Sequence, residues 1–179
     1  MRQSWSVNNL TDFVVDSIQN AHADDAPFHH LRFDRVFPDD FYAEMLEAMP
    51  LADDYRAMSG KSKMGSTRPD GKPTRAKIDL FPEYIRHLPP KKRAVWDVAG
   101  RVLRSKELEK AFVQRLAPGL ERRFGGNFAK VGMYPVPILT RDSILLTYFV
   151  DAGPWRFLRN RGRRLQNVLL NELRNLKRN

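Results

Sequence analysis

The chain has 179 residues, of which 42% are hydrophobic and 29% are charged, and its formal net charge is +10. This length suits a single domain with one core, and no apolar run approaches the roughly 20 residues of a membrane span, so we expect no span. The absence of cysteine excludes disulfides and thiolate metal sites. Together with an N-terminus unlike a secretory signal, it favours a cytoplasmic protein.

The positive charge is concentrated at one end of the sequence. From Ile144 to Asn179 there are eight Arg and Lys residues against two acidic ones, a net charge of +6 out of the total of +10. The composition therefore changes near Ser143. We predict a division into residues 1–143 and 144–179 that nevertheless form one structural unit.

The first half of the chain alternates helical and extended patterns. Apolar residues at helical spacing predict a helix over residues 10–18, and the alternating stretch 29–37 predicts a half-buried strand. Pro38 with two following aspartates is typical of a helix start. The predicted buried face of that helix, which should end at Pro50, contains Phe41, Met45, Leu46 and Met49.

The second half begins with a polar stretch, residues 59–75, which we predict to be a surface loop or a lid. Helices are predicted over residues 91–104 and 106–116, with Ser105 as the cap of the second. Strands are predicted over 127–134 and 138–150. Because proline removes a ladder donor, Pro135 and Pro137 should separate these strands.

Several stretches resemble one oxygenase family. FHHLRFDRVFPDDFYAEMLEAMP resembles its opening strand and proline-started helix, KIDLFPEYIRHLPPKKRAVWDVAGRVLRSKELEK is similar to its paired helices, and MYPVPILTRDS looks like its lead-in strand. The family is that of the prolyl-4-hydroxylase-like, 2-oxoglutarate- and Fe(II)-dependent oxygenases, and the resemblance covers about residues 26–143.

The resemblance implies a metal motif after Ser143. In the family, His-x-Asp on a strand and a later histidine bind Fe(II), which leaves positions for 2-oxoglutarate and dioxygen. All four histidines of this chain precede Ser143. The chain is therefore expected to lack the iron triad, and we predict no cofactor for it, although the family that it resembles uses Fe(II) and 2-oxoglutarate.

Three residues imitate the missing motif. His22 and Asp24 have His-x-Asp spacing, and His87 lies downstream. We interpret His22 and Asp24 as part of a polar turn at the end of the first helix, away from the strands that hold a metal triad, and therefore reject these three residues as ligands. The resemblance leaves Tyr134 and Arg141 as the candidates for contact with the cosubstrate.

The last part of the sequence predicts a basic amphipathic helix, with Leu165, Leu169, Leu173 and Leu176 on one face. It could cover the edge of a shortened sheet, bind an acidic partner, or be an out-of-frame tail. The residues that would contact a nucleic acid, an anionic membrane surface or an acidic protein are Arg159, Arg161, Arg163 and Arg164.

The fold class that these patterns predict is α+β, with N-terminal helices packed on an incomplete double-stranded β-helix (jelly-roll) sheet and a C-terminal basic helix. The first functional hypothesis is an oxygenase-like protein of the hydroxylase class that is truncated or inactive because it lacks the metal triad. The alternative is a non-enzymatic basic module that uses its C-terminal helix to bind an acidic partner.

Overall fold

The computed structural model describes residues 5–57, 76–125, 132–141 and 143–151. The predicted C-terminal helix and the whole of the predicted 59–75 loop lie outside these ranges. The helices are α1 (Val7–Gln19), α2 (Asp39–Glu47), α3 (Pro82–Ile85), α4 (Pro90–Leu103) and α5 (Lys106–Phe124). The strands are β1 (His22–Asp24), β2 (His30–Arg32), β3 (Arg56–Ala57), β4 (Ala76–Asp79), β5 (Gly132–Leu139) and β6 (Ile144–Asp151).

These elements form a mixed α/β structure with two antiparallel sheets. Strands β1 and β2 form a two-stranded sheet, and the other four form a sheet in the order β3-β4-β5-β6. Neither sheet closes into a barrel within the described ranges. Among the helices of those ranges, none combines the length and the apolar character needed to cross a membrane.

Helix α1 confirms the prediction made from its apolar spacing. The hydroxyl of Ser6 accepts a hydrogen bond from the amide of Asn9 at 3.1 Å, which satisfies a free donor of the first turn. Leu10, Val14 and Ile18 are each at most 1% exposed. This stripe packs α1 against α4 and α5.

Helix α2 starts as predicted, after Pro38, but its buried face is narrower than predicted. Phe41 and Met45 are buried, whereas Leu46 is 55% exposed. Successive helical residues are about 100° apart, so the position after Met45 turns away from the core. The prediction for Leu46 was therefore wrong, and the helix ends at Glu47, three residues before Pro50.

Trp96 of α4 connects the end of α2 to the core. Its indole Nε1 donates a hydrogen bond to the Ala48 carbonyl oxygen at 2.8 Å, and the side chain is 1% exposed. The bond satisfies a carbonyl group at the end of α2 that has no partner within the helix. Around it lies one apolar cluster drawn from α1, α2, α4, α5 and the four-stranded sheet.

Helix α5 begins as predicted and ends later than predicted. The Ser105 hydroxyl accepts from the Leu108 amide at 3.3 Å and so caps the helix. The helix then continues through Pro118 to Phe124 rather than ending near residue 116. It stops at Gly125, whose φ of 70° is a left-handed conformation that glycine adopts without a steric penalty.

The prolines of β5 do not interrupt the sheet, contrary to the sequence prediction. Pro135 pairs with Tyr148 and Pro137 with Leu146 in one continuous strand. The Leu80 amide donates to the Pro137 carbonyl oxygen at 2.9 Å. The nitrogen and the carbonyl of one strand residue face the same edge, so the Pro137 nitrogen also faces away from β6. Pro135, two residues earlier, has the same orientation. Neither proline therefore removes a hydrogen bond between β5 and β6.

The change in composition near Ser143 falls inside a β-hairpin. Strand β6 pairs with β5 at eight positions, from Leu139 opposite Ile144 to Gly132 opposite Asp151. At the turn, the Thr140 amide donates to the Ser143 carbonyl oxygen at 2.8 Å, and the Ser143 amide donates to the Thr140 hydroxyl at 3.0 Å. The predicted boundary at residues 143 and 144 is thus bridged by hydrogen bonds.

Gly100 is the point where α4 lies closest to the sheet. A Cβ atom at this position would lie 2.5 Å from the Leu80 carbonyl oxygen and 3.1 Å from the Leu80 Cβ. The nearest obstacle is backbone and cannot rotate away. The helix can therefore approach the end of β4 only because residue 100 is glycine.

We predict that Gly100→Ala lowers the free energy of unfolding by about 1–3 kcal/mol through overpacking, although alanine favours helices by about 1 kcal/mol. Urea denaturation measures the change. Ala94→Gly, at an exposed position of the same helix, is the control and reports the propensity term alone. Unchanged or increased stability of Gly100→Ala would contradict the close approach.

Candidate functional site on the open sheet face

The side chains of the four-stranded sheet project to two faces, and those of one face belong to the apolar cluster. Ile78, Pro137 and Leu139 are almost fully buried on the helix side. Because side chains alternate along a strand, the neighbouring residues Lys77, Asp79 and Ile138 project to the opposite side. We call this opposite side the open face.

Three charged residues form a cluster on the open face. Arg56 of β3 pairs directly with Lys77 of β4, so the two side chains share a face, and Asp79 lies two residues further along β4. Arg56 donates a hydrogen bond to Asp79 Oδ2, and Lys77 Nζ donates to Asp79 Oδ1 at 2.8 Å. The Asp79 side chain is only 8% exposed, so the two cations surround a buried carboxylate.

An aromatic residue supports the cluster from the side. The guanidinium carbon of Arg56 lies 4.3 Å from the centre of the Tyr84 ring, which belongs to α3. A cation over an aromatic face at this distance is attracted by the ring quadrupole. Arg56 is therefore oriented both by the carboxylate and by the ring.

The electrostatics of the cluster weaken the charge on Lys77. Burial lowers the pKa of Lys77, and the nearby Arg56 lowers it further, from 10.5 to about 8. The contact with Asp79 alone would raise this pKa. Its effect is outweighed first by burial and then by Arg56, which also pairs with Asp79 and neutralises the carboxylate.

This arrangement has two chemical capacities. Below pH 8, where Lys77 is mostly protonated, two cations around one carboxylate leave a local net charge of +1, which attracts anions to the open face. Near pH 8 about half of the Lys77 amines are neutral, and a neutral amine can act as a nucleophile or accept a proton. The site is therefore suited to an anionic ligand.

The sequence patterns did not point to Arg56, Lys77 or Asp79 as site residues. The available signal was the alternation of Lys77 and Asp79 about the apolar Ile78, which places both charges on one face of a strand. Arg56 could not be connected to them from the sequence, because its partnership depends on cross-strand pairing over a separation of 21 residues.

The residues predicted to contact a cosubstrate, Tyr134 and Arg141, do not belong to the charged cluster. Arg141 is exposed in the turn between β5 and β6. Tyr134 lies in β5, with its backbone paired to Phe149. The predicted partner-binding residues Arg159, Arg161, Arg163 and Arg164 lie outside the described ranges.

The interpretation of His22 and Asp24 as part of a polar turn was wrong. They form strand β1, in which His22 pairs with Arg32 and Asp24 pairs with His30, and all three β1 residues are exposed. The third residue of the rejected set, His87, instead directs its Nε2 to the Asp54 carbonyl oxygen at 3.1 Å. His22 and Asp24 thus lie on a strand of the two-stranded sheet and not on the four-stranded sheet.

The four histidines of the chain do not fit the iron site of the resembled family. That site takes two imidazoles and one carboxylate on one side of a metal. None of the histidines belongs to β3, β4, β5 or β6. In the described ranges, no three His, Asp or Glu side chains are grouped closely enough to bind a metal ion.

We predict that the stability of the protein rises between pH about 8 and 10.5 through Lys77, by on the order of 2 kcal/mol. In this pH range Lys77 has lost its proton in the folded protein but retains it in the unfolded protein. Raising the pH therefore favours the folded state. Urea denaturation of Lys77→Met across this range should lack this part of the rise. Lys110→Met, at an exposed position of α5, is the matched control. If both variants lose the same part of the rise in stability, the rise does not come from Lys77.

Comparisons with protein-family models, with curated proteins and with solved structures find no match to this chain. No functional residue can therefore be transferred from a relative. The assignment of function rests on the residues of the open face and on the sequence patterns.

Proposed function

We propose that the protein is a 2-oxoglutarate/Fe(II) oxygenase-like protein of the hydroxylase class whose chain lacks the iron triad and does not catalyse hydroxylation. In this proposal, strands β3 to β6 correspond to an incomplete jelly-roll sheet. The open face corresponds to the side of the sheet on which that family binds its cosubstrate. We also propose a cytoplasmic location, on the basis of the absence of cysteine.

One observation carries the proposal. One face of the antiparallel sheet packs into the apolar core, and the other face holds a buried carboxylate between two cations. The Asp79 side chain is only 8% exposed and has given up most of its hydration, and the partly exposed cations beside it have given up some of theirs. Charges held together at such a cost are candidates for a functional site. The cluster therefore favours a ligand-binding role for the open face, and its positive charge suits a carboxylate ligand.

Turnover of 2-oxoglutarate tests the catalytic part of the proposal. With Fe(II), ascorbate, 2-oxoglutarate and dioxygen, we expect no oxygen-dependent succinate above the protein-free background, because the described residues do not fit the iron site. An active oxygenase mixed with this protein is the control for inhibition of the assay. Iron- and oxygen-dependent succinate that disappears in His22→Ala or His87→Ala would contradict the proposal.

The second candidate function is the basic binding module, which is favoured by the net charge of +6 on the last 36 residues. Its residues lie outside the described ranges, so this function is proposed from charge alone. Phosphate contacts release counterions and make the affinity for nucleic acid fall steeply with salt.

We predict that changing Arg159, Arg161, Arg163 and Arg164 together to Gln weakens nucleic-acid binding and flattens its salt dependence. Gel-shift titrations at about 50 and about 200 mM salt measure both effects. The control removes the same number of exposed charges elsewhere, by changing Arg32, Lys91, Arg101 and Lys110 to Gln. The absence of binding at the lower salt concentration, or an equal loss in both variants, would rule out this function.

A further inference from the structure

A groove of about 560 Å³ lies between the segment 25–29 and the C-terminal half of α5. Its volume falls in the range of about 300–1,000 Å³ that is typical of small-molecule sites. It lies on the small-sheet side of the molecule, and its lining includes none of the three residues of the open-face cluster.

The wall of the groove is held on α5 by His29. Its Nδ1 lies 2.9 Å from Asp25 Oδ1, and its Nε2 lies 3.1 Å from the Arg115 carbonyl oxygen. A Cβ atom at Gly119 would lie 2.8 Å from the His29 Cβ, so glycine at this position permits the contact. The segment and the helix therefore form one preorganised surface.

The charge of the lining is positive. Both partners of the His29 ring are acceptors, which favours the ring with a proton on each nitrogen. Accordingly, the hydrogen bond to the Arg115 carbonyl, and after it the bond to Asp25, raises the pKa of His29. Asp25 is also bound by Arg122, and with Arg123 the charges of the lining sum to +2 when His29 is protonated.

The remaining lining is apolar and partly aromatic. Pro27, Phe28, Leu116 and Leu120 line the groove, and Phe28 is 67% exposed. An exposed aromatic ring beside a cationic rim suits a molecule that has an apolar body and an acidic group. A doubly charged phosphate is disfavoured relative to a carboxylate, because the carboxylate of Asp25 belongs to the same lining.

We propose that this groove binds a small aromatic carboxylic acid, with its carboxylate at Arg122 and Arg123 and its ring against Phe28 and Leu120. A guanidinium group has five N–H donors, and the bond from Arg122 to Asp25 uses one of its terminal nitrogens, so a ligand carboxylate would share Arg122 with Asp25 and bind Arg123 as well. The proposal is independent of the function of the open face, since the two sites share no residue.

Titration of the full chain with 4-phenylbutyrate and with its uncharged amide tests this inference. Amide chemical shifts in ¹⁵N-labelled protein should move saturably at Phe28, Leu120 and Arg122. We expect the acid to bind roughly tenfold more tightly than the amide, because only the acid forms charge-assisted hydrogen bonds.

The double variant Arg122→Gln with Arg123→Gln should reduce the affinity for the acid to that for the amide and leave the affinity for the amide unchanged. Both positions are exposed, so the fold should be retained, and circular dichroism checks this. Arg101→Gln with Lys110→Gln removes two charges outside the groove and should leave both affinities unchanged. The inference would be overturned by any of three results. These are equal affinity of the unmodified protein for the acid and the amide, chemical-shift changes at residues outside the groove, and no saturable binding up to about 10 mM.

Discussion

The close approach of α4 to the end of β4 is the constraint on which the arrangement of the sheet depends. Gly100 lets the helix axis come near the Leu80 backbone, and Trp96 of the same helix holds the end of α2 through the Ala48 carbonyl. Since α4 contacts both α2 and the sheet, it decides which face of β4 is buried. The other face of that strand is left to carry Lys77 and Asp79.

The open face shows how a fold can retain charge at low exposure. A buried carboxylate is stable only when it is paired and hydrogen-bonded, and Asp79 meets this condition with two cations. The charged form of Lys77 is destabilised in this arrangement, because burial and then the nearby charge of Arg56 lower its pKa. The same arrangement supplies the positive potential on which the proposed ligand role depends.

The two candidate sites depend on different parts of the structure. The open-face cluster is built on paired strands, so cross-strand register positions its charges. The groove is built from a segment that His29 and Gly119 hold against α5. Rejection of the oxygenase-like function would therefore leave the groove unaffected, and the absence of a ligand in the groove would not bear on the open face.

The sequence by itself determined the positions of α1 and α4, the start of α2 after Pro38 and the cap of α5 at Ser105. Apolar spacing and capping act within a few residues, so they can be recognised from the local sequence. Only the tertiary structure decided features that depend on a distant neighbour. The prolines of β5 are tolerated because their nitrogens face the side where β4 ends, and His22 to Asp24 are extended because β2 pairs with them. The charged cluster requires β3 beside β4, and side-chain spacing along one segment contains no information about which strand will be its neighbour.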